Sequence, residues 1–135
     1  MTTPDRPVTD SDSENWWTAV ADRTLHVNVC GACGAKSLYA RPFCPVCWSE
    51  DVSLRPSTGR ATLYTWSVVH QNAAPFADRV PYVVAMVDLA EGPRLMTAIE
   101  DCRAEDLRAG MELVLAFRDT GDDGFLVPVF VPADQ

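Results

Sequence analysis

The sequence predicts a mainly β protein with one N-terminal helix, and three observations carry that prediction. Two C-x-x-C pairs sit among short alternating segments, five longer apolar or alternating segments follow Gly59, and only one short stretch near the start has helical spacing. At 135 residues the chain is long enough for one ordinary domain or for two small modules sharing a core. Its 47% hydrophobic and 22% charged residues are the profile of a soluble globular protein. The expected order is a disordered tail over 1–12, a helix over 13–24, a metal-binding ribbon over 25–56 and a barrel over 57–135.

The tail is polar and carries Pro4 and Pro7. Ser11-Asp12-Ser13-Glu14 fits a capping box, in which hydroxyl and carboxylate serve free amides at a helix start. The helix should run from about 13 to 22, with Trp16, Trp17 and Val20 three or four apart on one side. Two readings fit these tryptophans. Either the helix packs on its own domain, or Trp16, Trp17 and Val20 dock into a partner, because tryptophan is enriched at interface hot spots.

From Leu25 the pattern alternates, with Leu25, Val27 and Val29 on one face and His26 and Asn28 on the other. Second and third short strands are expected over 37–40 and 52–54. Between them, Cys30-Gly31-Ala32-Cys33 and Cys44-Pro45-Val46-Cys47 form two tight-turn pairs separated by ten residues. Two such knuckles on facing hairpins bring four soft ligands into a tetrahedron, the arrangement of closed structural zinc sites. Iron is the alternative, because tetrahedral four-sulfur sites also hold it. Disulfides are disfavoured in a chain with no export signal, and a redox pair would need a helix after the motif. The closed set leaves no position for an activated water, so the metal reads as structural. Gly34 follows the first pair but Trp48 follows the second, so the second knuckle must close without glycine's freedom. Cys102 has no cysteine neighbour and reads as a small half-buried residue.

After Gly59, residues 61–70 alternate Leu63, Thr65, Ser67 and Val69 against Thr62, Tyr64, Trp66 and Val68. A loop with Ala73, Ala74 and Pro75 leads to an apolar strand over 82–89. Ala90-Glu91-Gly92-Pro93 turns the chain into a hairpin partner over 94–99. Residues 105–109 read as a helical turn that Gly110 ends, and strands over 112–118 and 125–131 flank a Gly-Asp-Asp-Gly turn. Five strands with a helical turn between the third and fourth match the OB-fold, a small partly open barrel. A bare five-stranded sandwich is the alternative.

Composition narrows the function. The net charge is −8 and only Lys36 is a lysine, which disfavours binding to phosphate backbones. Tyr64, Trp66 and Tyr82 could stack bases, but no basic residues interleave with them. The first thirteen residues hold neither an apolar run nor a basic cluster, and the longest apolar stretch is too short to span a bilayer. The expected location is the cytoplasm, with no membrane partner. His26 and His70 are the only histidines, and no Ser, Cys or carboxylate accompanies either in a nucleophile arrangement. Asp88, Glu91, Glu100 and Asp101 read as solvated edges near turns. No catalytic residue is expected.

Taken together, these motifs resemble the family that joins a rubredoxin-like zinc ribbon to an OB-fold and associates with acyl-CoA enzymes. The matching stretches are Trp16-Trp17, Cys30-Gly31-Ala32-Cys33-Gly34, Arg41-Pro42-Phe43-Cys44-Pro45-Val46-Cys47, Gly59-Arg60-Ala61-Thr62-Leu63-Tyr64-Thr65-Trp66, Pro81-Tyr82-Val83-Val84-Ala85, Glu91-Gly92-Pro93-Arg94-Leu95 and Asp106-Leu107-Arg108-Ala109-Gly110-Met111. They run in family order over nearly the whole chain beyond the tail. The resemblance implies an accessory subunit in a hetero-oligomer with a thiolase-like acyl-CoA enzyme. At this length it is similar to partners of lipid-transfer-protein-type thiolases, which act as retro-aldolases in sterol side-chain breakdown. It implies that the partner supplies the catalytic residues and that this chain helps shape an acyl-CoA channel.

Overall fold

The computed structural model describes residues 7–73 and 76–133. Residues 1–6 of the expected tail, and Ala74 and Pro75 of the expected loop, lie outside that set. The architecture is mainly β: one N-terminal helix, a three-stranded ribbon carrying the four cysteines, then a closed five-stranded barrel of OB-fold type. Closure excludes the open sandwich. No helix among the described residues is long and apolar enough to cross a membrane.

Helix α1 (Glu14–Ala21) starts close to where it is expected, but its N-cap is Ser13, whose side chain makes no capping bond into the helix. Asp10 Oδ1 accepts from the Ser13 amide at 2.8 Å, and Ser13 Oγ accepts from the Asp10 amide at 3.2 Å. This pair lies in the turn ahead of the helix, and the expected Ser11–Glu14 capping box does not form.

The ribbon orders its strands β2-β1-β3, with β1 (His26–Cys30) in the centre and β2 (Lys36–Ser37) and β3 (Val52–Pro56) antiparallel on either side. Two expectations fail here for one reason. Asn28 is not on an open face but 4% exposed, because its Nδ2 donates to the Tyr39 carbonyl at 2.9 Å. Strand β2 ends at Ser37 instead of running to 40, because residue 39 is committed elsewhere: its carbonyl meets Asn28 and its hydroxyl accepts the Met96 amide at 3.3 Å.

The barrel is built from β4 (Arg60–Val69), β5 (Tyr82–Leu89), β6 (Arg94–Ile99), β7 (Glu112–Asp119) and β8 (Leu126–Pro132), in the order β4-β5-β6-β8-β7, closing back onto β4. Strand β4 (Arg60–Val69) pairs with β5 (Tyr82–Leu89) and with β7 (Glu112–Asp119). Its register slips between Leu63 and Thr65, so Tyr64 is an extra residue in the ladder. The bulge reverses the expected alternation. Ala61 and Leu63 point inward before it, and Trp66 and Val68 pack on the core after it. Strand β5 alternates cleanly, burying Val83, Ala85, Val87 and Leu89. The helical turn is a 3-10 segment, Ala104–Asp106, earlier than expected because Leu107 leaves it extended and dives into the core.

The seam between β6 (Arg94–Ile99) and β8 (Leu126–Pro132) is the loosest part of the barrel. These strands share a single parallel pair, Ile99 with Phe130. Pro128 has no amide to offer across the gap, so side chains bridge it: Thr97 Oγ1 donates to the Pro128 carbonyl at 3.2 Å, and Tyr39 of the ribbon caps Met96.

Ribbon and barrel share one core. Trp16, Val20, Leu25 and Val27 belong to the same buried cluster as Leu63, Val87, Leu113 and Phe130. Gly59 sits at the junction with φ +81, and a Cβ there would approach Leu115 Cβ to 3.1 Å. Both the conformation and the contact demand glycine. Glu91, expected to be a solvated edge, fastens this junction instead: its carboxylate accepts from Ser57 Oγ at 2.7 Å and from the Thr58 amide at 2.9 Å.

Candidate metal centre

Each cysteine pair closes the same way. In the first knuckle the Cys30 amide donates to Ala35 O at 3.0 Å and the Gly34 amide to Cys30 O at 2.9 Å. In the second the Cys44 amide donates to Ser49 O at 2.8 Å and the Trp48 amide to Cys44 O at 2.9 Å. This closure needs a left-handed residue after the last cysteine. Gly34 supplies φ +77, and Trp48 supplies φ +67. A left-handed conformation costs an L-residue about 1–2 kcal/mol. Trp48 recovers part of that by stacking on Phe43, with ring centroids 5.2 Å apart and planes at 15°.

The knuckles face each other. All four sulfurs lie within 4.8 Å of one another, with Cys30 Sγ 3.6 Å from Cys47 Sγ and Cys33 Sγ 3.7 Å from Cys44 Sγ. A tetrahedral ion about 2.3 Å from each sulfur sets an edge of about 3.8 Å. The donor set therefore fits such an ion as it stands. Backbone amides already point at the sulfurs: those of Ala32 and Cys33 lie 3.4 Å from Cys30 Sγ, and that of Val46 lies 3.4 Å from Cys44 Sγ.

These contacts divide the thiols. The Cys33 amide, helped by Ala32, holds Cys30 below the ordinary thiol range. Amides of Cys47 and Val46 bring Cys44 down to about 7. At Cys33 the Ala35 amide pulls downward, but the Cys47, Cys44 and Cys30 sulfurs and burial outweigh it and push the thiol up to about 12. Four sulfurs this close cannot all ionise without a cation among them. The pattern is that of a metal site, and with four thiolates bound it has no open position for water.

The other candidate residues lie apart from this centre. Trp16 is 6% exposed and Val20 fully buried, both inside the chain's own core, and Trp16 Nε1 donates to the His26 carbonyl at 2.9 Å. Trp17 is half-buried, edge-on to Trp16 and tilted against Phe125. Cys102 is half-buried and its thiol is pushed up by burial, the opposite of an activated nucleophile. Among the described residues neither histidine side chain bonds a serine, cysteine or carboxylate. Trp66 packs against the core, so Tyr64, Trp66 and Tyr82 do not form one exposed stack. Sequence reasoning missed Tyr39 and Asn28, which tie ribbon to barrel. No local signal marks them, since both act on residues distant in the chain.

Two family models match. The rubredoxin-like zinc ribbon domain of ChsH2 covers residues 17–53, and the C-terminal OB-fold domain of ChsH2 covers residues 54–118. A DUF35 domain-containing scaffold protein from Methanocaldococcus jannaschii is 35% identical, with 82% of each chain covered. This chain belongs to the DUF35 family. A relative from Thermomonospora curvata described as "Probable enoyl-CoA hydratase alpha subunit" is 34% identical over 95% of this chain, which spans 40% of that protein's length. Among solved structures, a chain of the Ltp2-ChsH2(DUF35) aldolase aligns with a TM-score of 0.86 and 34% identity, covering 95% of this chain and 99% of that one. The chain is thus a DUF35 scaffold or accessory protein related to subunits of acyl-CoA enzymes, and the family's ribbon with its four gathered cysteines points to a structural metal.

Proposed function

We propose that this chain is a non-catalytic accessory subunit that binds and stabilises a thiolase-like acyl-CoA enzyme. One zinc ion, held by Cys30, Cys33, Cys44 and Cys47, braces its ribbon. The observation that carries this reading is the near end-to-end match to the DUF35 chain of the Ltp2-ChsH2 aldolase. Two features of the molecule support it. The cysteine centre is closed to water, and neither histidine has a nucleophile or base partner among the described residues. The reaction, a retro-aldol cleavage of an acyl-CoA in sterol side-chain breakdown, then belongs to the partner, and this chain helps shape the acyl-CoA channel.

Co-expression with a thiolase-like acyl-CoA enzyme from the same organism tests the proposal. The two should co-purify in a fixed ratio, and the enzyme should lose solubility or activity when expressed alone. A partner that is soluble, active and separate without this chain would sink the reading. Metal analysis of the purified chain should give one zinc per chain and no colour. A red protein with one iron would replace the brace with an electron carrier.

A further inference from the structure

The two knuckles form a comparison within one molecule. They share their backbone hydrogen bonds and their left-handed corner, with φ +77 at Gly34 and φ +67 at Trp48. At Gly34 an added Cβ would meet nothing within 4 Å, so only the backbone conformation asks for glycine there. The same conformation at the second corner carries the largest side chain available. Burial does not explain that choice. Trp48 is 71% exposed, and Val46 at the tip of the same knuckle is 69% exposed. Phe43 stacks beneath Trp48 and holds its ring outward. From Pro42 to Ser49 the chain has no Asp, Glu, Lys or Arg, in a protein with 22% of them, and its only ionising groups are the gathered thiols of Cys44 and Cys47.

We infer that Phe43, Val46 and Trp48 form an apolar knob by which this chain anchors in a socket on the partner enzyme. The inference rests on the accessory-subunit reading and assigns it a surface. A strained, exposed tryptophan is explained when complex formation buries it, and interface anchors are enriched in this residue. Phe43, Val46 and Trp48 are themselves apolar, and the segment has no charged side chain apart from the two ligand thiols, which suits an apolar socket and not a polar one. The size of the knob argues against a second copy of this chain as its occupant. Phe43 and Trp48 together bury at most about 500 Å², and Val46 adds a smaller side chain, whereas a standard interface takes about 800 Å² from each side. Two convex knobs meeting about a twofold axis fall short of that, while one knob seated in a concave partner is an anchor within a larger contact.

The test is Trp48→Gly in the full-length chain, measured against the thiolase-like enzyme from the same organism used in the co-expression test. Glycine suits this corner, so the variant should keep one metal per chain and melt within a few degrees of wild type. Its affinity for the enzyme should fall at least about thirtyfold. Val46→Ser, at a position with no backbone demand, should weaken binding in the same direction. If wild type binds and both variants bind within threefold of it, the knob assignment falls and the accessory reading stands. If wild type does not bind the enzyme, that reading falls and takes the knob with it. Loss of metal or a collapsed melting temperature in Trp48→Gly would make the tryptophan a structural residue and overturn the inference. So would a variant that loses only self-association of the isolated chain.

Discussion

Cys33 and Cys44 stand 3.7 Å apart, yet one thiol is held up to about 12 and the other is drawn down to about 7. The metal must displace protons from both, so its affinity should fall as pH falls. Competition with a chromogenic chelator should show binding more than tenfold tighter at pH 8 than at pH 6; equal affinities would count against thiolate ligation. Replacing Cys44 with serine should remove the metal altogether, read as metal per chain. Glu91 carries a pH dependence of the same sign by a different route. Burial acts to raise its pKa, but the Thr58 amide and Ser57 hydroxyl outweigh that and hold it below 4.5. A depressed folded-state pKa stabilises at pH above the unfolded value and is lost as pH falls through the folded one. Glu91→Gln should therefore cost about 1 kcal/mol at pH 7, with the difference shrinking toward zero at an acid pH below the lowered folded-state pKa. Urea melts at both pH values would check this, and an equal deficit at both would remove the carboxylate from the account.

Helix α1 buries its apolar face, Trp16 and Val20, in the core that ribbon and barrel share. Trp16→Ala removes a buried ring and the hydrogen bond to His26 O, and should cost about 3–5 kcal/mol. Thermal melts of the isolated chain would show it; an unchanged melting temperature would mean the helix contributes nothing to the fold. That the helix has an apolar face was legible from the spacing of Trp16 and Val20, but what covers it was not, because spacing records a face and not its neighbour. The same division runs through the strands. β5 and β6 have the expected ends because alternation and a Gly-Pro turn are local properties. The bulge at Tyr64 is not local, since it exists only in the pairing of β4 with β5, and it moved Trp66 and Val68 to the core side. Asn28 and Glu91 were read as exposed for a similar reason: their partners, Tyr39, Ser57 and Thr58, are distant in sequence. The four cysteines were legible in full as a cluster because the C-x-x-C turn builds each half of the site by itself.

Because Trp16, Val20, Leu25 and Val27 share a buried cluster with Leu63, Val87 and Phe130, ribbon and barrel should not melt separately. The ribbon's own sheet is small, with β2 only two residues long, so the metal must supply much of its stability. Removing the metal should then loosen the ribbon and withdraw its residues from the common core, weakening a barrel that contains no ligand. Calorimetry should show a single transition in the metal-loaded chain and a single, lower one after chelation. A loss of about 3 kcal/mol would lower it by roughly 10 °C in a chain this size. Two transitions, with the upper one unmoved by chelator, would mean that the barrel stands alone and that the ribbon hangs from it. A single shifted transition would mean that the metal holds the whole scaffold. In that case the shape offered to a partner enzyme depends on an ion that touches none of the barrel strands.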